Sequence, residues 1–158
     1  MIPNIKTDLP GPEARKYIEM SRKYEPNSMS DQVPAVWRKG RGAVVEDVDG
    51  NVFIDFTSGV LVTNIGHCHP KHTAAIQEQA AELMNAYDFV NPWRAQLAKK
   101  LVEITSPNLD KAFILSTGGE ATEAAIKVAR RYTGKYEIIA FHGAFHGRTY
   151  MAMSVGGK

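Results

Sequence analysis

The chain has 158 residues, of which 44% are hydrophobic and 23% charged, and its formal net charge is +2. Acidic and basic residues are interspersed, so no basic surface for nucleic acid is indicated, and no apolar run approaches the length needed to cross a membrane. The single cysteine excludes an internal disulfide and is typical of a reducing compartment, so we expect a cytoplasmic α/β protein.

The N-terminal part of the sequence predicts a short helix within a proline-rich arm. Ala14, Tyr17 and Ile18 share one face of a helix over about residues 13–24. Such a helix buries little by itself, so we expect it to pack on another part of the protein.

A β-hairpin is predicted next. Residues 43–48 and 51–56 are rich in β-formers, and the Asp49-Gly50 pair between them is a strong hairpin signal, because both residue types tolerate positive φ. Oxygen-bearing side chains at 47, 49 and 51 also suggest a calcium loop. That loop requires glycine at 52 and glutamate at 58, where this chain has valine and serine, so we favour the hairpin.

Two helices opened by proline are predicted in the middle of the chain. Pro70 begins one that runs to about Tyr87, and Asn91-Pro92 begins another that Pro107 ends. The expected buried faces are Ile76, Ala80, Leu83, Met84 and Tyr87 in the first helix, and Leu97, Leu101 and Ile104 in the second.

The last third of the sequence predicts a βαβ unit. Residues 111–116 and 137–142 are short apolar runs of the kind found in strands covered on both faces. A helix over about residues 119–132 lies between them, and the order strand, helix, strand indicates a right-handed crossover and an α/β fold. The expected buried stripe of the helix is Ala121, Ala125, Val128, Ala129 and Tyr132.

The turn between the first of these strands and the helix has the features of a phosphate site. Thr117 is a good N-cap with Glu120 at capping-box spacing, and Gly118 and Gly119 leave their amides open to a bulky anion. The alternative is a glycine-rich cap that only lets the helix pack closely on the sheet. The turn alone favours neither interpretation.

The loop after the second predicted strand, GAFHGRT, carries a ring, an imidazole and a guanidinium. Phe145 has a face for stacking on a flat ligand, and the Arg148 fork suits a carboxylate. Ligands bind at the carboxyl ends of strands in open α/β sheets, which is where this loop is expected. Alternatively Phe145 belongs to the core, His146 is a hydrogen-bonded loop residue and Arg148 is a surface cation. The preceding phosphate turn favours a functional role.

Metal binding is not expected. Consecutive residues seldom converge on one ion, and the predicted helix at Pro70 interrupts the cluster of His67, Cys68, His69 and His72. His142 and His146 have helical i, i+4 spacing, but glycines disfavour a helix there.

Four segments resemble the class III (ω-type) pyridoxal-phosphate aminotransferases, which include 4-aminobutyrate and acetylornithine aminotransferases. They are GAVVEDVDGNVFIDFTSG, NIGHCHPKHTAAIQEQ, STGGEATEAAIKVAR and FHGAFHGRT. The resemblance covers nearly the whole chain and implies the N-terminal portion of a fold type I enzyme. Residues 1–62 would form an arm and small-domain segment that contains the hairpin, and residues 63–158 the beginning of the large cofactor-binding domain with its βαβ unit.

The resemblance also implies roles for individual residues. The amides of Gly118 and Gly119 would hold the phosphate of pyridoxal 5'-phosphate, Phe145 would cover its ring, and Arg148 would bind a substrate carboxylate. The family usually has serine or threonine where this chain has Gly119, so one side-chain donor is lost here. The implied cofactor residues are Thr117, Gly118, Gly119, Phe145 and His146, and the implied substrate residues are Arg148 and Val60.

No lysine of this chain matches the family's Schiff-base lysine, which lies well downstream of the GAFHGRT loop. We therefore expect a fragment with no catalytic residue of its own, inactive alone, from a homodimeric transaminase that acts on an ω-amino or basic amino acid and a 2-oxo acid. Alternatives are an aminomutase or racemase of the same family, or a non-catalytic fragment or subunit completed by a second polypeptide. The lysines considered are Lys99, Lys100, Lys111, Lys127 and Lys158.

Overall fold

A computed structural model describes residues 2–29 and 33–156, and the chain divides into two units, residues 1–85 and 86–158. Lys158, one of the lysines considered above, lies outside the described residues. No described helix is long and apolar enough to cross a membrane. The domain boundary at 62/63 refers to the larger fold implied by the resemblance and stays a prediction.

The first unit combines a three-stranded antiparallel sheet, in the order β1-β2-β3, with helices before and after it. Its elements are α1 (Pro12–Tyr24), a 3₁₀ turn (Asn27–Met29), β1 (Trp37–Arg41), β2 (Val44–Asp47), β3 (Val52–Ile54), α2 (Ser58–Leu61) and α3 (Pro70–Glu82). The predicted N-terminal helix is confirmed as α1, which buries Ala14 and Ile18, whereas Tyr17 on the same predicted face is half exposed.

The predicted hairpin is confirmed as β2 and β3, with Val45 opposite Phe53. Its turn is closed by the Gly50 amide, which donates to the Asp47 carbonyl at 3.2 Å. Gly50 alone in this turn has a positive φ, +80°, as expected for a three-residue loop that ends in a left-handed glycine. Val45 is buried, and the Trp37 and Phe53 rings meet edge to face with centroids 5.2 Å apart.

Polar side chains of the hairpin turn bind backbone amides. The buried Asp47 carboxylate accepts from the amides of Asp49 and Asn51 at 2.9 and 2.8 Å. Asp49 reaches across the chain and caps α1 by accepting from the amides of Glu13 and Ala14 at 2.8 and 2.9 Å. Gly11 permits this approach, since a Cβ there would lie 2.3 Å from the Asp49 carboxyl carbon. The turn therefore joins α1 to the sheet.

Helix α3 is shorter than predicted. It ends at Glu82, and Leu83 is extended, with φ −156° and ψ 116°, so the predicted end at Tyr87 is wrong. The reason is that the predicted apolar stripe is not covered by other residues. None of the residues of α3 is buried, and Met84, beyond the end of the helix, is 87% exposed. An amphipathic helix gains most of its stability from a covered face.

Within residues 86–156, the second unit has three helices joined by loops: α4 (Pro92–Ile104), α5 (Gly118–Thr133) and α6 (Tyr150–Ser154). The predicted start of α4 is confirmed, since the Asn91 side chain accepts from the amides of Trp93 and Arg94. Helices α5 and α6 pack together and bury Ile126 and Ala152. The predicted face of α4 is not covered, and Leu97 and Ile104 are exposed.

Two predictions for this unit need correction. Residues 111–116 and 137–142 form no strands, since neither segment pairs with another in the part of the chain that the structure describes. A strand requires a hydrogen-bonded neighbour, and a parallel sheet also requires cover on both faces. Ile139 and Phe141 are instead exposed. The predicted stripe of α5 is wrong as well, because its members are exposed while Ile126 is buried.

Candidate functional site

The candidate site begins at the N-terminus of α5, where the predicted capping box is present. The Thr117 hydroxyl accepts from the Glu120 amide at 3.1 Å, and the Glu120 carboxylate accepts from the amides of Thr117 and Ser116 at 3.2 and 3.0 Å. Side chains of the helix itself thus satisfy these three donors. The prediction that Thr117 caps the helix is confirmed.

The amides of Gly118 and Gly119 are unpaired at this helix start. No group in the described residues accepts a hydrogen bond from either of them. A Cβ at Gly118 would meet nothing within 4 Å, so the approach to its backbone is open. Two unpaired N–H groups at the positive end of a helix are suited to a phosphate, and these residues therefore fit the phosphate of pyridoxal 5'-phosphate.

The loop over residues 143–149 lies directly against this helix start. A Cβ on Gly147 would be 2.7 Å from the Cα of Gly119, so the two backbones approach as closely as glycines allow. The Thr122 hydroxyl, one turn into α5, donates to the His146 carbonyl at 2.9 Å. The structure therefore brings together the two motifs that the sequence singled out, 118–119 and 145–148.

Two of the three predicted functional residues of the loop, Phe145 and Arg148, are exposed. Phe145 is 76% exposed, so the alternative that it belongs to the core does not hold within this unit. Arg148 is also exposed and makes no hydrogen bond or ion pair with the described residues, and the His146 ring is half-buried. The loop that carries this ring and this unpaired guanidinium thus lies against the helix start that holds the free amides of Gly118 and Gly119. Their roles toward cofactor and substrate stay predictions.

Glu123 completes the arrangement from the second turn of α5. Its Oε1 accepts from the Thr149 hydroxyl at 2.7 Å and from the amides of Met151 and Ala152 at 2.9 and 3.2 Å. The Thr149 hydroxyl bond, supported by the two amides, lowers the pKa of Glu123 against the opposing effect of burial. Sequence reasoning missed Thr122 and Glu123, because their partners lie more than 20 residues away.

Val60, the remaining predicted substrate residue, belongs to the first unit. It is 79% exposed and lies in α2, whose four residues all have positive φ, from 51° at Ser58 to 66° at Leu61. Positive φ is rare for a β-branched residue such as valine. Its proposed contact with substrate stays a prediction.

A histidine–aspartate pair closes the segment that carries Val60. His67 Nε2 lies 2.7 Å from Asp55 Oδ2, and His67 also exchanges two backbone hydrogen bonds with Gly42. The His67 bond, followed by the bond from the Thr57 hydroxyl, lowers the pKa of Asp55 to about 2. His67 therefore stabilises this loop through its contacts with Asp55 and Gly42. No group of three or more metal-ligating side chains occurs in the described residues.

Comparison with known proteins supplies further evidence. The family described as "Aminotransferase class-III" matches residues 26–158. An acetylornithine aminotransferase of Methanocaldococcus jannaschii is 40% identical over 149 residues, which are 90% of this chain and 37% of that protein. The chain thus spans little more than a third of this curated relative.

Solved structures agree with the sequence match. Taurine:2-oxoglutarate aminotransferase from Bifidobacterium kashiwanohense, in complex with PLP and glutamate, is 28% identical with a TM-score of 0.81; the match covers 91% of this chain and 33% of that one. Ornithine aminotransferase from Toxoplasma gondii is 31% identical with a TM-score of 0.76, covering 95% and 35%. These neighbours confirm the predicted α/β fold class.

Proposed function

The chain belongs to the class-III aminotransferase family, whose members use pyridoxal 5'-phosphate, and on that premise we propose that it forms part of a transaminase. That enzyme would move an amino group from an ω-amino or basic amino acid to a 2-oxo acid. The proposal rests most on one observation: the free amides of Gly118 and Gly119 lie against the loop that carries Phe145 and Arg148.

Each site residue then has a defined task. The amides of Gly118 and Gly119 hold the phosphate, and Thr117 and Glu120 keep the helix start in shape for them. Phe145 and His146 are assigned the positions next to the pyridine ring of the cofactor. When bound, the cofactor supplies an electron sink and carries the amino group between the two half-reactions.

Arg148 is assigned the role of binding the carboxylate of the substrate. A guanidinium offers two parallel N–H donors to a carboxylate, and this one has no competing acidic partner among the described residues. Val60, from the first unit, is assigned an apolar contact with substrate. N-Acetylornithine is the first donor to test, because relatives that are 40–45% identical are named acetylornithine aminotransferases.

The Schiff-base lysine is assigned to the two thirds of the relatives' length that this chain does not span. The 158-residue chain alone is therefore expected to be inactive. We also propose a homodimer in the cytoplasm, which follows from the family resemblance and from the composition of the chain.

Turnover by the product of the complete reading frame tests this function. Glutamate formed from 2-oxoglutarate is measured with N-acetylornithine or 4-aminobutyrate as donor, and the 158-residue chain serves as the inactive comparison. Arg148→Lys keeps the charge but loses the paired donors, so we expect KM for carboxylate substrates to rise about tenfold or more. Arg131→Lys, on the exposed side of α5, is the matched control and should change nothing.

The outcomes separate the alternatives. Isomerisation of an amino acid without any 2-oxo acid would identify an aminomutase or racemase. Activity that appears only after a second polypeptide is added would identify a subunit. Absence of both turnover and binding of pyridoxal 5'-phosphate would refute the proposal.

A further inference from the structure

We propose that Thr122 and Glu123 position Arg148 for carboxylate recognition by fastening the loop to α5 on both sides of that residue. The inference rests on the proposed function, since it concerns how the assigned carboxylate-binding side chain is held. Neither residue belongs to the phosphate turn, and neither side chain is required to contact a ligand. They are positioning residues.

The first attachment lies two residues before Arg148. The Thr122 hydroxyl oxygen lies 2.9 Å from the His146 carbonyl oxygen and 3.1 Å from the Gly118 carbonyl oxygen. Its single proton is shared between these two acceptors. The Gly118 bond is the ordinary bond of a helical threonine to the carbonyl four residues back. The shorter bond to His146 is the additional one, and it ties the loop to the first turn of α5.

The second attachment begins one residue after Arg148. Thr149 is the N-cap of α6, yet its hydroxyl makes no cap bond to that helix. It donates instead to Glu123 Oε1, and the same oxygen accepts from the amides of Met151 and Ala152. The carboxylate of Glu123 thus takes the place of the missing cap. Its negative charge also interacts favourably with the partial positive charge at the N-terminus of α6.

These two attachments leave only Gly147 and Arg148 between them. Gly147 has φ +128° and lies against Gly119, so the backbone has little room to shift on that side as well. Arg148 therefore has a fixed backbone and a free, exposed side chain. Preorganisation of this kind lowers the entropy lost when a ligand binds.

Variants of Thr122 test the first attachment against a matched control. Thr122→Val removes the hydroxyl, whereas Thr122→Ser keeps it. Thr133→Val, at the far end of the same helix, removes a bond to the carbonyl four residues back and a bond from the Lys135 amide, neither of which involves the loop. In the 158-residue chain, the backbone ¹⁵N order parameters of Gly147 and Arg148 should fall from about 0.85 to below about 0.6 in Thr122→Val and stay unchanged in the other two.

Variants of Glu123 test the second attachment and the positioning role. With the cofactor-loaded product of the complete reading frame, Glu123→Ala should raise KM for a donor with a carboxylate about tenfold. KM for an amine of similar size without the carboxylate should change less than twofold, and kcat should change little for either. Glu123→Gln keeps an acceptor oxygen and should recover part of the loss.

Two results would overturn the inference. Equal effects on both kinds of donor would reduce Thr122 and Glu123 to general stabilisers of the fold. Unchanged exchange of the amides of Met151 and Ala152 in Glu123→Ala would show that the attachment itself does not exist. The hydrogen-exchange measurement needs no turnover. It therefore tests whether Glu123 holds the loop even when the proposed transaminase activity is not found.

Discussion

Replacement of Gly147 by alanine tests the close approach between the loop and α5. The added Cβ would lie 2.7 Å from the Cα of Gly119, whereas carbon atoms pack at about 3.5–4.0 Å, so the two backbones must separate by about 1 Å. The φ of +128° adds strain of about 1–3 kcal/mol for any residue with a side chain. Overpacking adds about 1–3 kcal/mol more, so we expect a total cost of about 2–6 kcal/mol.

Gly134→Ala provides the control for strain alone. Gly134 caps the other end of α5 with φ +69°, and a Cβ there would meet nothing within 4 Å. Its replacement should therefore cost only about 1–2 kcal/mol. The difference between the two variants reports the steric overlap together with the extra strain at the larger φ of Gly147.

Hydrogen exchange at Met151 and Ala152, together with urea denaturation of the chain, measures both variants. If the free-energy cost of the substitution exceeds the free energy that holds the loop on α5, the loop detaches while the rest of the unit stays folded. The exchange of these two amides is therefore the more sensitive measurement. Gly147→Ala should abolish their protection, and Gly134→Ala should retain it. Equal costs, or a fully protected Gly147→Ala, would refute the close packing of the loop on α5.

Three further predictions concern other parts of the chain. Asp49→Ala should destabilise α1 by about 0.5–2 kcal/mol in urea denaturation, because it removes the acceptor for two helix-start amides, and an unchanged midpoint would contradict this. His67→Ala should raise the pKa of Asp55 from about 2 toward 3.8 in an NMR titration of its carboxyl carbon, because the His67 bond is the largest cause of the shift. Since that pKa is lowered on folding, the stabilisation by Asp55 is present above about pH 4 and is lost as the pH falls toward 2. Acid unfolding monitored by circular dichroism should show a smaller loss in His67→Ala, in which only the bonds from Thr57 and Ser58 still lower the pKa. Gly119→Ser combined with Thr149→Ser should tighten binding of inorganic phosphate about five- to tenfold in calorimetry through one added donor, while Gly119→Ser alone should gain less because its Cβ meets the Thr149 methyl at 3.2 Å.

Features fixed by local chemistry were predictable from the sequence. The capping box of α5 depends on Thr117 and Glu120, three residues apart, and the start of α4 depends on Asn91 and the proline after it. The hairpin follows in the same way from Asp-Gly between two β-rich runs. Residues 118–119 were also expected beside 145–148, but the strands on which that expectation was based do not form. The two motifs meet instead through the close approach of Gly147 to Gly119 and the bond from Thr122 to the His146 carbonyl.

Features that depend on distant partners were not predictable. The runs over 111–116 and 137–142 have strand composition, but strands form only when neighbours supply hydrogen bonds, and the described chain supplies none. The buried side of α5 is set by α6 packing near Ile126, which alanine-rich periodicity does not reveal. The capping roles of Glu123 and Asp49 were not predicted, because the helix starts that they cap lie about 26 and 36 residues away.

The most direct test of the central claim is a crystal structure of the product of the complete reading frame with pyridoxal 5'-phosphate bound. Phosphate oxygens should lie within hydrogen-bond distance, about 2.7–3.2 Å, of the amide nitrogens of Gly118 and Gly119, with the Phe145 ring against the pyridine ring. A phosphate bound elsewhere, with these two amides facing only solvent, would contradict the account.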